Sequence, residues 1–144
     1  MKTILVVEDN AICREPIAAT LRLNHYQTLE ASNGVEALQL AVENHPDLIL
    51  LDLSMPVMDG LTFLGKLRGA DETRKTPVIV LTAATDREAV LHAAQMGVSS
   101  FLLKSNFSNT ELISRVHSIL GAPVADATEQ ASASKAPSKP KAAA

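Results

Sequence analysis

The sequence of 144 residues contains a single cysteine, Cys13, and no apolar run longer than four residues. A lone cysteine cannot form an internal disulfide bond, which is typical of proteins that work in a reducing compartment. Because a membrane-spanning helix needs about twenty consecutive apolar residues, the sequence predicts no such helix. The first residues also lack the apolar segment and the cleavage site of a secretory signal. We therefore expect a cytoplasmic location.

Positive charge is not in excess either. The formal net charge is −3 and the pI is about 5.8. Nucleic-acid phosphates are bound by clustered lysines and arginines, so this balance argues against nucleic-acid binding by the folded part of the chain. The hydrophobic fraction of 47% and the charged fraction of 20% are instead typical of a globular domain.

The chain divides into two segments of different composition. Residues 122–144 consist almost entirely of Ala, Ser, Pro and Lys, and Val124 is their one aliphatic residue larger than alanine. Such a segment cannot bury enough apolar surface to offset the entropy that it loses on ordering. We therefore predict a globular domain over residues 1–121 and a disordered tail or linker over residues 122–144. The composition does not distinguish a solvated end from a linker to a further domain.

Short apolar runs alternate with amphipathic segments throughout residues 1–121. Four of the runs are apolar nearly throughout, which predicts strands covered on both faces, while the second run alternates and predicts an edge strand. The five runs are Ile4–Val7, Tyr26–Ala31, Leu48–Leu51, Val78–Leu81 and Ser100–Leu103.

The segments between these runs carry apolar residues at helical spacing. In the first segment, Ile12, Ile17, Ala18 and Leu21 are expected to form one buried stripe. Capping residues are predicted at four positions: Asn33, Asp86 and Ser108 before helices, and Gly121 after the last helix.

Five β–α repeats of this length predict an α/β fold, because parallel strands joined by short right-handed crossovers are covered by helices on both faces. We expect a doubly wound, five-stranded parallel sheet of order 2-1-3-4-5. Such a fold places its functional site at the carboxyl ends of the strands.

Three acidic residues follow two strands that are neighbours in this order. Glu8 and Asp9 come after the first run, and Asp52 comes after the third. Adjacent strands lie about 4.8 Å apart, so the three carboxylates are expected to converge and to repel one another. A divalent cation removes that repulsion, and a set of hard oxygen ligands suits Mg²⁺.

Two further polar side chains end the fourth and fifth strands. Thr82 and Lys104 are expected to point into the same crevice, on the opposite side of Asp52 from the acid pair. A carboxylate nucleophile, a metal ion, a hydroxyl donor and a fixed cation are together the groups that phosphoryl transfer requires. The sequence therefore predicts phosphoryl chemistry at this edge of the sheet.

Four stretches of sequence, taken in order, resemble the receiver domains of two-component response regulators, whose simplest relative is the chemotaxis-type single receiver. They are ILVVEDN with Arg14 following, LILLDLSMPVMDG, PVIVLTA and AQMGVSSFLLKSN, and the resemblance covers residues 1–121. Each stretch is a weak signal alone, whereas four stretches at the expected strand ends are specific. The resemblance implies a flavodoxin-like (βα)5 fold.

The resemblance implies roles for four residues in the phosphoryl chemistry and the switch. Asp52 would accept the phosphoryl group, and Lys104 and Thr82 would bind the phosphoryl oxygens. Phe101 matches the aromatic switch position of the family, which packs inward when Thr82 moves toward the phosphate.

The resemblance also implies a metal site. Asp9, Asp52 and the backbone carbonyl of Ser54 would hold Mg²⁺, and Glu8 would act through a water molecule.

In function, the resemblance implies a phosphoacceptor of a two-component phosphorelay. The phosphoryl group would come from a sensor histidine kinase or a histidine phosphotransfer protein and would change a surface that binds an output partner, which the sequence does not identify. The chain would then be a signalling protein that promotes its own phosphorylation and slow autodephosphorylation, and not an enzyme with a separate substrate.

The residue after Lys104 departs from the family pattern. Ser105 follows Lys104, where the family usually has a proline joined by a cis peptide bond. A cis bond before a residue other than proline costs about 3–4 kcal/mol, so a trans bond and a different loop shape are expected here.

Three other functions are compatible with parts of this pattern. A haloacid dehalogenase-like phosphatase needs a second acid two residues after its nucleophile, but Ser54 occupies that position. In a flavodoxin-type cofactor binder the first loop cradles a phosphate group, which Glu8 and Asp9 would repel. A receiver-like interaction module that is never phosphorylated stays open, and it is favoured if Ser105 displaces Lys104.

Overall fold

The computed structural model describes residues 1–53, 60–82, 87–104 and 108–121. Within these ranges five strands alternate with five helices, and all strand pairs are parallel. The strand order is β2-β1-β3-β4-β5, which confirms the predicted doubly wound topology. The elements are β1 (Thr3–Val7), α1 (Ala11–Leu23), β2 (Gln27–Ala31), α2 (Gly34–Asn44), β3 (Leu48–Asp52), α3 (Gly60–Gly69), β4 (Val78–Thr82), α4 (Arg87–Gln95), β5 (Ser100–Leu103) and α5 (Asn109–Leu120).

The hydrophobic core lies on both faces of this sheet. Successive residues of a strand point to opposite faces, so Leu5 belongs to the core cluster covered by α2, α3 and α4, while Ile4 belongs to the cluster covered by α1 and α5. Every residue of β3 and β4 is buried. The runs Leu48–Leu51 and Val78–Leu81 are therefore central strands covered by helices on both sides, as the sequence indicates. The same prediction is wrong for Ser100–Leu103, because β5 is the second edge strand of the sheet and Leu102 is its one buried residue.

Strand β2 is an edge strand, as predicted, because it pairs only with β1 among the described residues. It begins at Gln27, one residue later than the predicted run. The Tyr26 backbone N–H donates to Leu21 O at 3.1 Å and so ties Tyr26 to the end of α1 instead of to the ladder. The buried Tyr26 side chain donates a hydrogen bond to Gly121 O at 3.4 Å.

The predicted helix caps are present wherever the structure describes them. Asn33 accepts a hydrogen bond from Glu36 N, and Ser108 accepts one from Glu111 N. Gly121 ends α5, whereas Asp86 lies outside the described residues. A further N-cap that is not among the predicted ones is Asn10, before α1, whose side chain accepts a hydrogen bond from Ile12 N at 2.9 Å.

The predicted buried stripe of α1 is wrong at one position. Ile17, Ala18 and Leu21 are buried, but Ile12 is 83% exposed. Five residues advance a helix by about 500°, which turns Ile12 about 140° away from the direction of Ile17. Spacings of three and four residues, and not five, place side chains on one face.

No helix within the described ranges combines the length and the apolar character needed to cross a bilayer.

His117 on α5 is expected to make the stability of the fold depend on pH. Its ring lies against Tyr26 at a centroid distance of 6.0 Å, and its buried Nε2 has no hydrogen-bond partner among the described residues. Burial lowers the pKa of His117 below its ordinary value. As the pH falls through about 6.5, the unfolded chain therefore takes up a proton before the folded chain does, and the free energy of unfolding decreases.

Urea unfolding at pH 7.5 and at pH 5.5 measures this effect. We expect His117→Gln to lose less stability between the two pH values than the unsubstituted protein loses. His92→Gln, which removes an exposed histidine from α4, is the control and is expected to keep the full loss. An equal loss in all three proteins would show that His117 is not responsible.

Candidate functional site

Three carboxylates meet at the carboxyl ends of β1 and β3. Glu8 and Asp9 directly follow β1, and Asp52 is the last residue of β3. The two strands are paired, with Val7 opposite Leu51, so their ends lie side by side. One carboxylate oxygen from each acid lies within 4.8 Å of the others. The structure thus brings together the three acids that the sequence singles out.

These acids differ in their exposure to solvent. Glu8 and Asp52 are buried, whereas Asp9 is exposed at the rim. The Glu8 carboxylate accepts a hydrogen bond from the Asn10 backbone N–H at 3.3 Å. Burial raises the pKa of the Glu8 carboxyl; a hydrogen bond from Lys104 opposes this rise, and the nearby charge of Asp52 adds to it. The site therefore holds negative charge that water cannot solvate well.

The Lys104 ammonium lies between the two buried acids. Its Nζ is 3.0 Å from Glu8 Oε1 and 3.1 Å from Asp52 Oδ2. Burial alone would lower the pKa of Lys104, but hydrogen bonds to both carboxylates outweigh it, so the pKa lies above its ordinary value. Lys104 follows β5, which lies across β3 from β1, so its backbone is on the side of Asp52 that the sequence predicts. The flexible four-carbon stem lets the ammonium reach Glu8 as well.

The two residues assigned to the switch lie on adjacent strands. Thr82 ends β4 and is buried, and its carbonyl accepts the Lys104 backbone N–H at 2.9 Å. Phe101 on β5 is half-buried and packs against the core beneath α4. Ser54, Ser105 and therefore the bond between Lys104 and Ser105 lie outside the described residues.

The donor set of the site fits a magnesium ion. With all four groups ionised, the carboxylates of Glu8, Asp9 and Asp52 and the ammonium of Lys104 sum to a local charge of −2. A divalent cation would offset this charge, and Mg²⁺ prefers carboxylate oxygens among protein ligands. Glu8, Asp9 and Asp52 are the described residues that would hold it.

The sequence includes Arg14 in the first stretch of the resemblance but assigns it no role. Arg14 contacts the acid loop, which is Glu8 and Asp9 after β1. Its Nη1 donates to the backbone carbonyl of Glu8 at 2.7 Å, and its Nε donates to Glu30 Oε1 at 3.1 Å. Arg14 lies on α1, and Glu30 is sixteen residues away on β2. No spacing rule links such a pair, and only the packing of α1 beside β2 brings the two side chains together.

Comparison with known proteins places this chain in a family. The sequence family described as response regulator receiver domain matches residues 4–117. The phosphate regulon transcriptional regulatory protein PhoB of Pseudomonas aeruginosa is 36% identical over 119 residues, which cover 83% of this chain and 52% of that protein. The chain spans about half the length of the curated relatives that it matches.

Solved structures give the same result for the fold. Chemotaxis protein CheY4 of Vibrio cholerae superimposes with a TM-score of 0.77 at 29% identity, covering 83% of this chain and 98% of that one. The receiver domain of sensor histidine kinase PA1611 from Pseudomonas aeruginosa, solved with a magnesium ion coordinated in its active site cleft, gives a TM-score of 0.76 at 31% identity with the same coverage. The chain therefore belongs to the family of response regulator receiver domains, as the family match shows and as the sheet order and the acidic site agree.

Proposed function

We propose that this receiver domain accepts a phosphoryl group on Asp52 from a phosphohistidine of a sensor histidine kinase or a histidine phosphotransfer protein. The observation that carries the proposal is the buried Asp52 carboxylate, held 3.1 Å from the Lys104 ammonium and beside Glu8 and Asp9. A lone acid at a strand end is commonplace, whereas a buried acid with a fixed cation and two further acids is equipped for phosphoryl transfer. We also propose that the protein works in the cytoplasm.

The proposed reaction is a single displacement at phosphorus. A carboxylate oxygen of Asp52 attacks, the bond between phosphorus and the donor imidazole nitrogen breaks, and the electron pair stays on the departing imidazole, which takes up a proton. Lys104 binds a phosphoryl oxygen through its ammonium, and Thr82 binds another through its hydroxyl. Hydrolysis of the acyl phosphate by water later returns Asp52 to its free form.

Magnesium is the proposed cofactor of this reaction. The PA1611 receiver domain, 31% identical to this chain, holds magnesium in its active site cleft. Here Asp9, Asp52 and the Ser54 backbone carbonyl would be the ligands, with Glu8 acting through water. When bound, the ion supplies positive charge against the phosphoryl oxygens.

The proposed output is a change of surface around β5. Thr82 moves toward the phosphoryl oxygens, and Phe101 packs into the space that this movement vacates. Because Phe101 already packs against the core beneath α4, its movement would alter the surface formed by α4, β5 and α5. A partner that binds the altered surface more tightly reads the phosphorylated state.

Intact-mass spectrometry after incubation with acetyl phosphate tests the proposal. With Mg²⁺ we expect the mass of one phosphoryl group to be added, and with EDTA none. Asp52→Asn is expected to take up no phosphate, whereas Asp71→Asn, a change at an exposed acid in the α3–β4 loop, is expected to behave like the unsubstituted protein. We expect the same addition when a phosphorylated histidine kinase domain is the donor in place of acetyl phosphate.

Two outcomes would contradict the proposal. Phosphate found on a serine, a threonine or a histidine would exclude Asp52 as the acceptor. No uptake from either donor in the presence of Mg²⁺ would favour the interaction module that is never phosphorylated.

A further inference from the structure

The side chain of Arg14 connects the acid loop to the edge strand of the sheet. Its guanidinium donates one hydrogen bond to Glu8 O and one to the Glu30 carboxylate on β2. The side chain of Arg14 is only 16% exposed, so its bond to Glu8 O is partly shielded from water, whereas the Glu30 side chain is 36% exposed. Charge-assisted bonds from a planar guanidinium fix direction as well as distance.

Both backbone polar groups of Glu8 are anchored to β2 through these contacts. The Glu8 N–H donates to Ala31 O, at the end of β2, at 3.0 Å. The Glu8 carbonyl accepts from Arg14, which Glu30 on β2 in turn orients. Strand β2 contributes no side chain to the acidic site, yet it holds the backbone that carries Glu8.

The carbonyl that Arg14 binds belongs to the peptide unit between Glu8 and Asp9. This unit is planar, so fixing the direction of its carbonyl fixes the relative orientation of the two α-carbons. In addition to the bond from the Glu8 N–H to Ala31 O, the hydrogen bond at 2.7 Å to the Glu8 carbonyl therefore helps to orient both acids. Without it, the peptide can rotate and the two carboxylates can separate.

We infer that Arg14 is a positioning residue for the metal site, which it serves by holding the Glu8–Asp9 peptide while Glu30 orients its guanidinium. The inference rests on the proposed function, since it concerns the magnesium site proposed there. Arg14 itself touches neither the metal ligand atoms nor the reacting carboxylate in the contacts described; it acts through the backbone.

The charge of Arg14 and its positioning role have opposite effects on Mg²⁺ affinity, so the affinity of a variant without Arg14 distinguishes them. Removal of a positive charge near the site would strengthen Mg²⁺ binding, because it removes repulsion of the cation. Loss of the hydrogen bond to Glu8 O would weaken Mg²⁺ binding, because the ligands would no longer be held in place. Replacement of residues that orient metal ligands typically weakens metal affinity by about 10- to 100-fold.

The experiment is a calorimetric Mg²⁺ titration of purified, folded variants. We expect Arg14→Ala to weaken Mg²⁺ affinity about tenfold. Arg14→Lys keeps the charge but offers one ammonium group in place of the forked guanidinium. We expect the Mg²⁺ affinity of this variant to lie between those of the unsubstituted protein and of Arg14→Ala. Arg22→Ala is the matched control, because Arg22 lies on the same helix and 3.8 Å from the same Glu30 but is 53% exposed and does not contact the acid loop. Its affinity is expected to equal that of the unsubstituted protein.

Circular dichroism with EDTA establishes that each variant is folded before titration. If Arg14→Ala does not fold, Glu30→Ala decides the question, because it leaves Arg14 in place but unoriented; a weakened Mg²⁺ affinity supports the inference. The inference is overturned if the folded Arg14→Ala protein binds Mg²⁺ as tightly as the unsubstituted protein or more tightly. If Arg14→Ala is unfolded, the same result for Glu30→Ala overturns it.

The same titration separates this inference from the proposed function. If Asp52→Asn abolishes Mg²⁺ binding while Arg14→Ala preserves it, the metal site stands and the positioning role fails. If the unsubstituted protein binds no Mg²⁺, the proposed metal site fails and the positioning role fails with it.

Discussion

Replacement of Gly60 by alanine is expected to lower the free energy of unfolding by about 3 kcal/mol, a value at the upper end for overpacked core positions. Gly60 begins α3 and is buried against the end of β3. A Cβ atom at this position would lie 2.5 Å from Leu53 Cα and 2.7 Å from Asp52 O. Both neighbours are backbone atoms, so no rotamer change can relieve the contact. Either the start of α3 or the end of β3 must move, and the second movement would displace the Asp52 carboxylate.

A second glycine of the same helix provides the control. Gly65 is exposed, and a Cβ atom there would meet nothing within 4 Å. Gly65→Ala is therefore expected to raise the free energy of unfolding by about 0.5–1 kcal/mol, since alanine favours the helix. Urea unfolding monitored by circular dichroism measures both changes. If both substitutions raise the free energy of unfolding, helix propensity, and not the contact with β3, determines the effect of alanine at position 60.

Lys104→Met is expected to destabilise the metal-free protein by about 2 kcal/mol at pH 7.5. The substitution leaves the carboxylates of Glu8 and Asp52 without their ammonium, and an uncompensated buried charge is costly. The Lys104 side chain is 30% exposed, which keeps the loss below that of a fully buried pair. Saturating Mg²⁺ should return most of the lost stability, because the cation supplies the missing positive charge.

Lys66→Met removes an exposed lysine from α3 and is the matched control for this experiment. We expect it to change the free energy of unfolding little with or without Mg²⁺. Calorimetry should also show tighter Mg²⁺ binding to the Lys104→Met protein, since one positive charge beside the ligands has gone. Equal stability of the two variants in EDTA would mean that Lys104 contributes no net stabilisation to the acid pair.

Much of the fold could be predicted because its signals are local. The apolar runs Leu48–Leu51 and Val78–Leu81 are long enough to define buried strands, and the caps at Asn33 and Ser108 depend on hydrogen bonds within a few residues. The convergence of Glu8, Asp9 and Asp52 followed from the strand order alone.

Features that depend on long-range side-chain packing could not be predicted in the same way. The Lys104 ammonium bridges two acids because its stem is flexible, which no strand position determines. The pair of Arg14 and Glu30 depends on a contact between α1 and β2 that carries no motif. Ile12 is exposed although it is apolar, because it stands five residues before Ile17 and so points away from the buried stripe of α1.

The hydrogen bond from Tyr26 to Gly121 fixes the point where the chain leaves α5. Tyr26 immediately precedes β2, so Gly121 is tied to the pole of the sheet where the strands begin, while Asp52 lies at the pole where they end. A five-residue strand is about 16 Å long, so the two poles are separated by that distance along the strands. A fluorophore or a fused reporter attached after Gly121 therefore starts from the pole remote from the acids and leaves the mouth of the site open to a phosphodonor.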